Sequence, residues 1–269
     1  MASWSVTISS DSLLDRTWQT LRTSRRTALI PYLTAGHPTV ALSAEAIRAA
    51  ADYADILEVG VPFSDPLADG PTIQAATFRA LANGMSLPRT LELIDEASPQ
   101  VPVVLFSYLN PVLQYGVERL VKDAAELGIA GLLLTDLPTG ADPAIEQAVR
   151  SSPLDLIRLV APTSRRERVR AAVQDAEGFI YLVARLGVTG MSAELATGLG
   201  DSIDMVRRET SLPIAVGFGI STGEQARTVA ALADGVVVGS ALVQVLEQGG
   251  VQAMSAMLHT MRAAVDAPS

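Results

Sequence analysis

Asp55-Ile-Leu-Glu-Val-Gly-Val-Pro-Phe-Ser-Asp-Pro-Leu-Ala-Asp-Gly-Pro71 reads as a strand that runs into a turn-rich loop and then into a helix. Side chains alternate along a strand, so Leu57, Val59 and Val61 share one face while Ile56, Glu58 and Gly60 share the other. The wholly apolar set suits a surrounding ring of helices, which turns Glu58 inward. Pro62, Pro66 and Pro71 stiffen the loop that holds Asp65 and Asp69. Asp69-Gly70 then leads into Pro71-Thr-Ile-Gln74, where proline fits the first turn of a helix.

The same strand-then-helix unit recurs along the whole chain. Beta-rich runs fall at Ala28–Leu33, Asp55–Val59, Val103–Ser107, Gly131–Thr135, Asp155–Val160, Phe179–Val183, Pro213–Gly217 and Gly235–Gly239. Between them lie segments with helix-period apolar positions, among them Leu42–Tyr53, Pro88–Ala97, Val117–Leu127, Arg165–Asp175 and Gly223–Ala233. This alternation predicts a parallel sheet, and eight units closing on themselves give an α/β fold of the (β/α)8 TIM-barrel type. An open doubly wound sheet is the competing architecture. The length of 269 residues suits a single TIM-barrel domain over 1–269, since such barrels run to about 250 residues. Residues 1–26 are expected to form a helix or cap across the barrel floor, and 263–269 a frayed tail.

Composition narrows the chemistry. The apolar runs, such as Gly131-Leu-Leu-Leu134 and Gly235-Val-Val-Val238, are far shorter than the roughly 20 residues of a membrane-spanning helix and read as strands buried on both faces. The amino end lacks the basic start and apolar block of a secretion signal, so a cytoplasmic protein is expected. A formal charge of −9 opposes binding to nucleic acid or to an anionic membrane, and any phosphate must be held locally. Without cysteine there is no disulfide or thiolate chemistry. His37 and His259 are the only histidines, so a Ser-His or multi-histidine zinc centre would have to use both, and His259 falls in an amphipathic C-terminal helix. Lys122, the single lysine, lies on a helical stretch of the outer ring, which leaves no nucleophile for a Schiff base. Carboxylates and tyrosines remain.

Glu58 stands near the carboxyl end of a barrel strand, where active sites of this fold are built. Burial there biases it towards the neutral form, as a general acid requires. The bland alternative is a carboxylate paired with an arginine for structural reasons. At the far end of the chain, Pro213-Ile-Ala-Val-Gly-Phe-Gly-Ile-Ser221 and Asp234-Gly-Val-Val-Val-Gly-Ser240 end two successive strands in glycine. In barrels the loops after strands seven and eight often bind phosphate, and a helix starting at Ser240 would offer backbone N–H groups and its positive end. In the sixth unit Phe179, Tyr181 and Val183 share a face, so Tyr181 could stand in the barrel mouth. From Gly187 to about Gly200 apolar periodicity is weak, which predicts a mobile lid in which Thr189 could bond an acidic partner such as Asp69.

The run Glu58-Val-Gly-Val-Pro-Phe-Ser-Asp-Pro-Leu-Ala-Asp-Gly-Pro-Thr-Ile-Gln74 resembles the signature of the tryptophan synthase α-subunit family. The resemblance extends, in the family's order and spacing, to Ile30–Gly36, Tyr108–Pro111, Thr135–Pro138, Gly187–Gly190, Gly217–Ser221 and Gly239-Ser240. It implies a retro-aldol lyase that converts indole-3-glycerol phosphate into indole and glyceraldehyde 3-phosphate in tryptophan biosynthesis, with no metal or organic cofactor in this chain. The implied partner is a β-subunit carrying pyridoxal phosphate, in an α2β2 assembly. By motif position, Glu58 is implied as the acid/base at indole C3 and at the glycerol hydroxyl, Asp69 as the partner of the indole N–H, and Tyr181 as an aid in the same pocket. Tyr32 and Phe106 would form part of the apolar wall. Gly190, Gly219, Gly239 and Ser240 would bind the phosphate. The loop around Pro62, Asp65 and Pro66 and the segment Asn110–Gln114 would face the partner. Three places depart from common family choices: His37 where aspartate is frequent, Ala184 where serine is frequent, and the segment Met191-Ser192-Ala193 after the lid motif. A stand-alone lyase releasing free indole, a non-catalytic activator of a β-subunit and an unrelated sugar-phosphate isomerase barrel are the alternatives.

Overall fold

The computed structural model describes residues 12–161, 164–184, 193–217 and 219–267, with the backbone alone for 193–197. Strands β1 (Ala28–Thr34), β2 (Leu57–Gly60), β3 (Val103–Ser107), β4 (Gly131–Leu134), β5 (Asp155–Val160), β6 (Ile180–Val183), β7 (Ile214–Gly217) and β8 (Gly235–Val238) close in sequence order into a parallel barrel. β1 pairs with both β2 and β8, so no edge is left and the open-sheet alternative falls. The helices are α1 (Leu13–Thr23), α2 (Val40–Ala51), α3 (Pro71–Ala82), α4 (Leu87–Ala97), α5 (Leu109–Tyr115), α6 (Val117–Glu126), α7 (Pro143–Arg150), α8 (Arg166–Gln174), α9 (Ala193–Arg207), α10 (Gly223–Ala230) and α11 (Ser240–Val265). Among the described residues no helix is long and apolar enough to cross a membrane.

The alternation along each strand sorts the core into two bodies. Leu57, Val59 and Val61 pack outwards with Leu33, Leu105, Leu132 and the helices. Ile56 packs inwards with Ile30, Val104, Leu133, Ile157, Phe179, Tyr181, Ala215 and Val237, which puts Glu58, two residues on, inside the barrel. Helix α1 closes the floor. Its capping box ties Ser12 to Asp15, and Leu14, Trp18 and Leu21, spaced four and three residues apart, present one apolar stripe to the interior cluster. The stripe meets bare backbone, because a Cβ added at Gly235 would lie 3.0 Å from Trp18 and one added at Gly131 would lie 3.2 Å from Leu14.

Two expectations are corrected. Residues from Ala193 onward belong to helix α9, so the loop anticipated as far as Gly200 ends earlier; Leu199, Ile203 and Val206 bury one helical face that the glycines at 198 and 200 obscure in the sequence. At the C-terminus the helix continues to Val265, whose side chain is buried against the core, instead of fraying from Ala263. His259 lies on α11 with its ring edge-on to Tyr53, and Lys122 lies on α6 beside Glu126, with most of its side chain in solvent.

Candidate active site

Glu58 sits on β2 in register with Tyr32 of β1 and Val104 of β3. It is fully buried, and neither carboxylate oxygen has a hydrogen-bond partner among the described residues. Among the described residues no arginine pairs with it, so the structural ion-pair alternative finds no support there. Burial alone pushes its carboxyl up to about 8, and it is therefore a neutral acid at neutral pH.

Two tyrosines cover it, and glycines make room for both. A Cβ added at Gly60 would fall 2.1 Å from the Tyr32 hydroxyl, and one at Gly217 2.2 Å from the Tyr181 hydroxyl. Burial and the neighbouring carboxyl groups hold both phenols in the protonated state. Phe106 stands between them, edge-on to Tyr32 at 5.3 Å and to Tyr181 at 6.3 Å between ring centroids. These rings form one wall of a cavity of about 150 Å³ at the carboxyl ends of the strands. Leu159 and Val183 continue the apolar wall, and Thr135 adds a hydroxyl. Glu58 itself lies one step below the lining, so the expected acid is in the right column of the barrel but does not touch the cavity surface in this arrangement.

Asp69 lines the cavity from the loop after β2. That loop is tied down on several sides: the Gln74 side-chain amide donates to the carbonyls of Asp69 at 2.9 Å and Pro66 at 3.3 Å, and the Ala68 N–H donates to the Tyr108 hydroxyl at 2.9 Å. Burial raises the Asp69 carboxyl to about 6, and the Tyr108 hydroxyl, which also bonds it, opposes the rise. Proline in the first turn of α3 starts the helix directly after Gly70, which is why Asp69 is held at its mouth.

Across β1 from Asp69, on the β7 and β8 side, the cavity is bounded by Gly219, Gly239 and Ser240. Gly219 has φ +82°, a left-handed conformation that favours glycine. Gly239 is the N-cap of α11, and a Cβ there would sit 3.5 Å from the Tyr32 ring. No lysine or arginine lines the cavity among the described residues, so an anion at this end would be held by backbone N–H groups and the positive end of α11. Thr189 and Gly190 lie outside the described residues. Among the described residues no group of three or more metal-ligating side chains comes together.

The structure thus brings Tyr32, Asp69, Phe106, Tyr181, Gly219, Gly239 and Ser240 to one cavity with Glu58 beneath it. Sequence reasoning missed Ile73, Thr135, Leu159 and Val183 in the lining. The signal was available for three of them: they stand at the carboxyl ends of β4, β5 and β6, at the two-residue spacing that already marks Leu133, Ile157 and Tyr181 as inward-facing. Tyr108 carries no such mark, because it lies past the end of β3 and reaches Asp69 only through the tertiary fold.

The model of the family described as tryptophan synthase alpha chain matches residues 18–266. The tryptophan synthase alpha chain of Methanosarcina mazei is 49% identical over 231 residues, 85% of this chain and 84% of that protein. That of Gloeobacter violaceus is 45% identical over 243 residues, 89% of this chain and 88% of the relative. Among solved structures, a chain of Mycobacterium tuberculosis tryptophan synthase superposes with a TM-score of 0.89 at 37% identity, covering 96% of this chain and all of that one. The catalytic-end cavity, the barrel that builds it and these relatives agree, and the chain belongs to the tryptophan synthase alpha chain family of lyases, which act in tryptophan biosynthesis by cleaving indole-3-glycerol phosphate.

Proposed function

We propose that the cavity between Asp69 and the Gly239-Ser240 turn is where indole-3-glycerol phosphate is split, and that Glu58 and Asp69 carry the reaction. The apolar part, walled by Tyr32, Phe106 and Tyr181, takes the indole ring, and the glycine-lined end takes the phosphate. Glu58, neutral at physiological pH, gives a proton to indole C3. The C3–glycerol carbon bond then breaks, its electron pair returning to the indole ring, while the adjacent glycerol hydroxyl loses its proton to Glu58 and becomes the aldehyde. One proton enters and one leaves, so the acid is regenerated and no external base is consumed. Asp69, as a carboxylate, accepts the indole N–H bond and stabilises the positive charge that grows on the ring when C3 is protonated. Tyr181 assists in the same pocket, Thr189 is the partner of Asp69, and Gly190 joins the phosphate end by motif.

The observation that carries this reading is Glu58 itself. A buried carboxyl without a partner is costly to keep, and here it stands in the axis column directly below a cavity with a second raised carboxyl at its mouth. Because it lies below the lining, substrate binding must rotate the side chain upward past Tyr32 and Tyr181. The chain needs no cofactor of its own in this reaction. We further infer a cytoplasmic α2β2 assembly with a β-subunit that holds pyridoxal phosphate: the two segments expected to face it carry Leu67, 82% exposed, and Leu113, 51% exposed, large apolar residues that a partner would cover.

Two experiments test this. Crystals soaked with indolepropanol phosphate should show the ring beside Asp69 and the phosphate at Gly239-Ser240; density elsewhere, or none, would refute the site. Adding purified β-subunit should raise indole release at least tenfold. High turnover without it would instead favour the stand-alone lyase, and no turnover with or without it the silent activator.

A further inference from the structure

Asp69 lines the cavity without a cation beside it: among the described residues no lysine, arginine or histidine belongs to the wall. The titratable groups around it are the phenols of Tyr32 on β1 and Tyr181 on β6, the neutral Glu58 below on β2, and Tyr108, the first residue past β3. Tyr108 stands behind the lining, 4% exposed, with its ring against Phe63 at 5.1 Å between centroids. Its backbone is held from two sides. The Tyr108 carbonyl accepts from the Ser107 hydroxyl at 3.0 Å, and the next amide, Leu109 N–H, donates to Asp136 Oδ1 at 2.7 Å, which ties the start of α5 to the loop after β4. The ring carries that fixed point across to the loop after β2, where the phenol oxygen accepts from the Ala68 N–H at 2.9 Å. Burial and the nearby carboxylate keep the phenol protonated. An oxygen that accepts from residue 68 still has its own proton to give, and the Asp69 side chain is the acceptor it meets. Such a bond is stronger to a carboxylate than to a neutral acid, so it favours the ionised form.

We propose that Tyr108 is the positioning residue for Asp69: its hydroxyl pins the Ala68-Asp69 segment at the mouth of the cavity and presents a proton to the carboxylate, in place of a cation. The inference rests on the role assigned to Asp69 above. Tyr108 does not touch the cavity, and it acts on the reaction only through the residue it holds.

The test is Tyr108→Phe in the full chain, which keeps the ring against Phe63 and removes the hydroxyl. Loss of a hydrogen bond to a charged group should move the Asp69 carboxyl upward by about one pH unit. Starting from about 6, that move makes the ratio of wild-type to variant kcat/KM for indole-3-glycerol phosphate about twofold at pH 7, about fivefold at pH 6 and about ninefold at pH 5. The affinity for indolepropanol phosphate, read by calorimetry over the same range, should fall in the same way without turnover. In an Asp69→Asn background, where no charge is left to hold, Tyr108→Phe should cost less than about twofold at pH 6. A ratio that stays flat from pH 5 to 7 would overturn the proposal, since that is the behaviour of a loop tie and nothing more. So would a loss that carries over undiminished into the Asp69→Asn background. Failure of the parent reading looks different: wild type itself would show no fall in kcat/KM towards pH 5, and Asp69→Asn alone would cleave the substrate at the wild-type rate.

Discussion

Replacing Glu58 by glutamine should shift stability in the variant's favour, relative to wild type, as the pH rises. In the native state burial raises the Glu58 carboxyl from its ordinary 4.5 to about 8, with no hydrogen bond in compensation. Between those values the unfolded chain has released the proton while the folded chain keeps it. The unfolded state therefore binds fewer protons, and stability falls with rising pH. The slope is about 1.4 kcal/mol per pH unit, so the native-state penalty reaches about 3 kcal/mol at pH 7, levels off at about 5 kcal/mol above pH 8, and vanishes below pH 4.5. Glutamine has nearly the same shape and never ionises. Its amide is also buried without a partner, which adds a cost that does not depend on pH. The diagnostic quantity is thus the change with pH in the stability difference between variant and wild type, in which the titration of Asp69, Asp155 and other groups cancels. Urea unfolding of both proteins at pH 5, 6, 7 and 8 measures it. A difference that stays flat within about 0.5 kcal/mol over that range would mean that Glu58 is not held neutral by burial, and the acid assigned to the reaction would lose its physical basis.

The pH dependence of kcat/KM should be bell-shaped: activity falls below about pH 6 as Asp69 gains a proton, and above about pH 8 as Glu58 loses the one it must donate; a profile flat from pH 5 to 9 would contradict both roles. Asp69→Asn should fold like wild type by circular dichroism yet lose about a hundredfold or more in kcat, the scale of a lost transition-state charge contact. Gly60→Ala should drive the Tyr32 ring out of its seat and into the cavity, since the new Cβ would lie 2.1 Å from its hydroxyl; indolepropanol phosphate binding by calorimetry should be lost for an unfolding cost of about 1–3 kcal/mol, and unimpaired binding would show that the ring has another place to go. Arg158→Ala should cost about 3–5 kcal/mol in urea unfolding, because it removes the partner of the buried Glu146 carboxyl group beside β5, where the two now stand 2.9 Å apart.

Most of the barrel is legible in the chain because each strand announces itself by composition and each helix by period. Val103–Ser107 and Asp155–Val160 begin and end where the alternation says they should, and Glu58 faces inward because Leu57, Val59 and Val61 leave it no other face. The two glycine-ended strands likewise arrive together at one rim. What could not be read has a common cause, contacts between residues far apart in sequence. The depth of Glu58 depends on Tyr32 and Tyr181, which lie 26 and 123 positions away and close over it only because glycines on β2 and β7 admit their hydroxyls. Tyr108 reaches Asp69 across the β3 loop, a relation no local pattern encodes. Helix α9 was hidden for a different reason: Gly198 and Gly200 lower helix propensity, while burial of Leu199, Ile203 and Val206 overrides it.

Below the cavity the barrel is solid: Ile30, Ile56, Val104, Leu133 and Ile157 fill it down to Leu14, Trp18 and Leu21 of the floor, and among the described residues no passage leads downward. A molecule freed inside has no exit through the bottom and must depart by the rim through which its precursor came. Whatever sits over that rim decides where the product travels next. The packed base then does for direction what the glycines at the rim do for grip: it leaves the upper mouth as the way in and the way out.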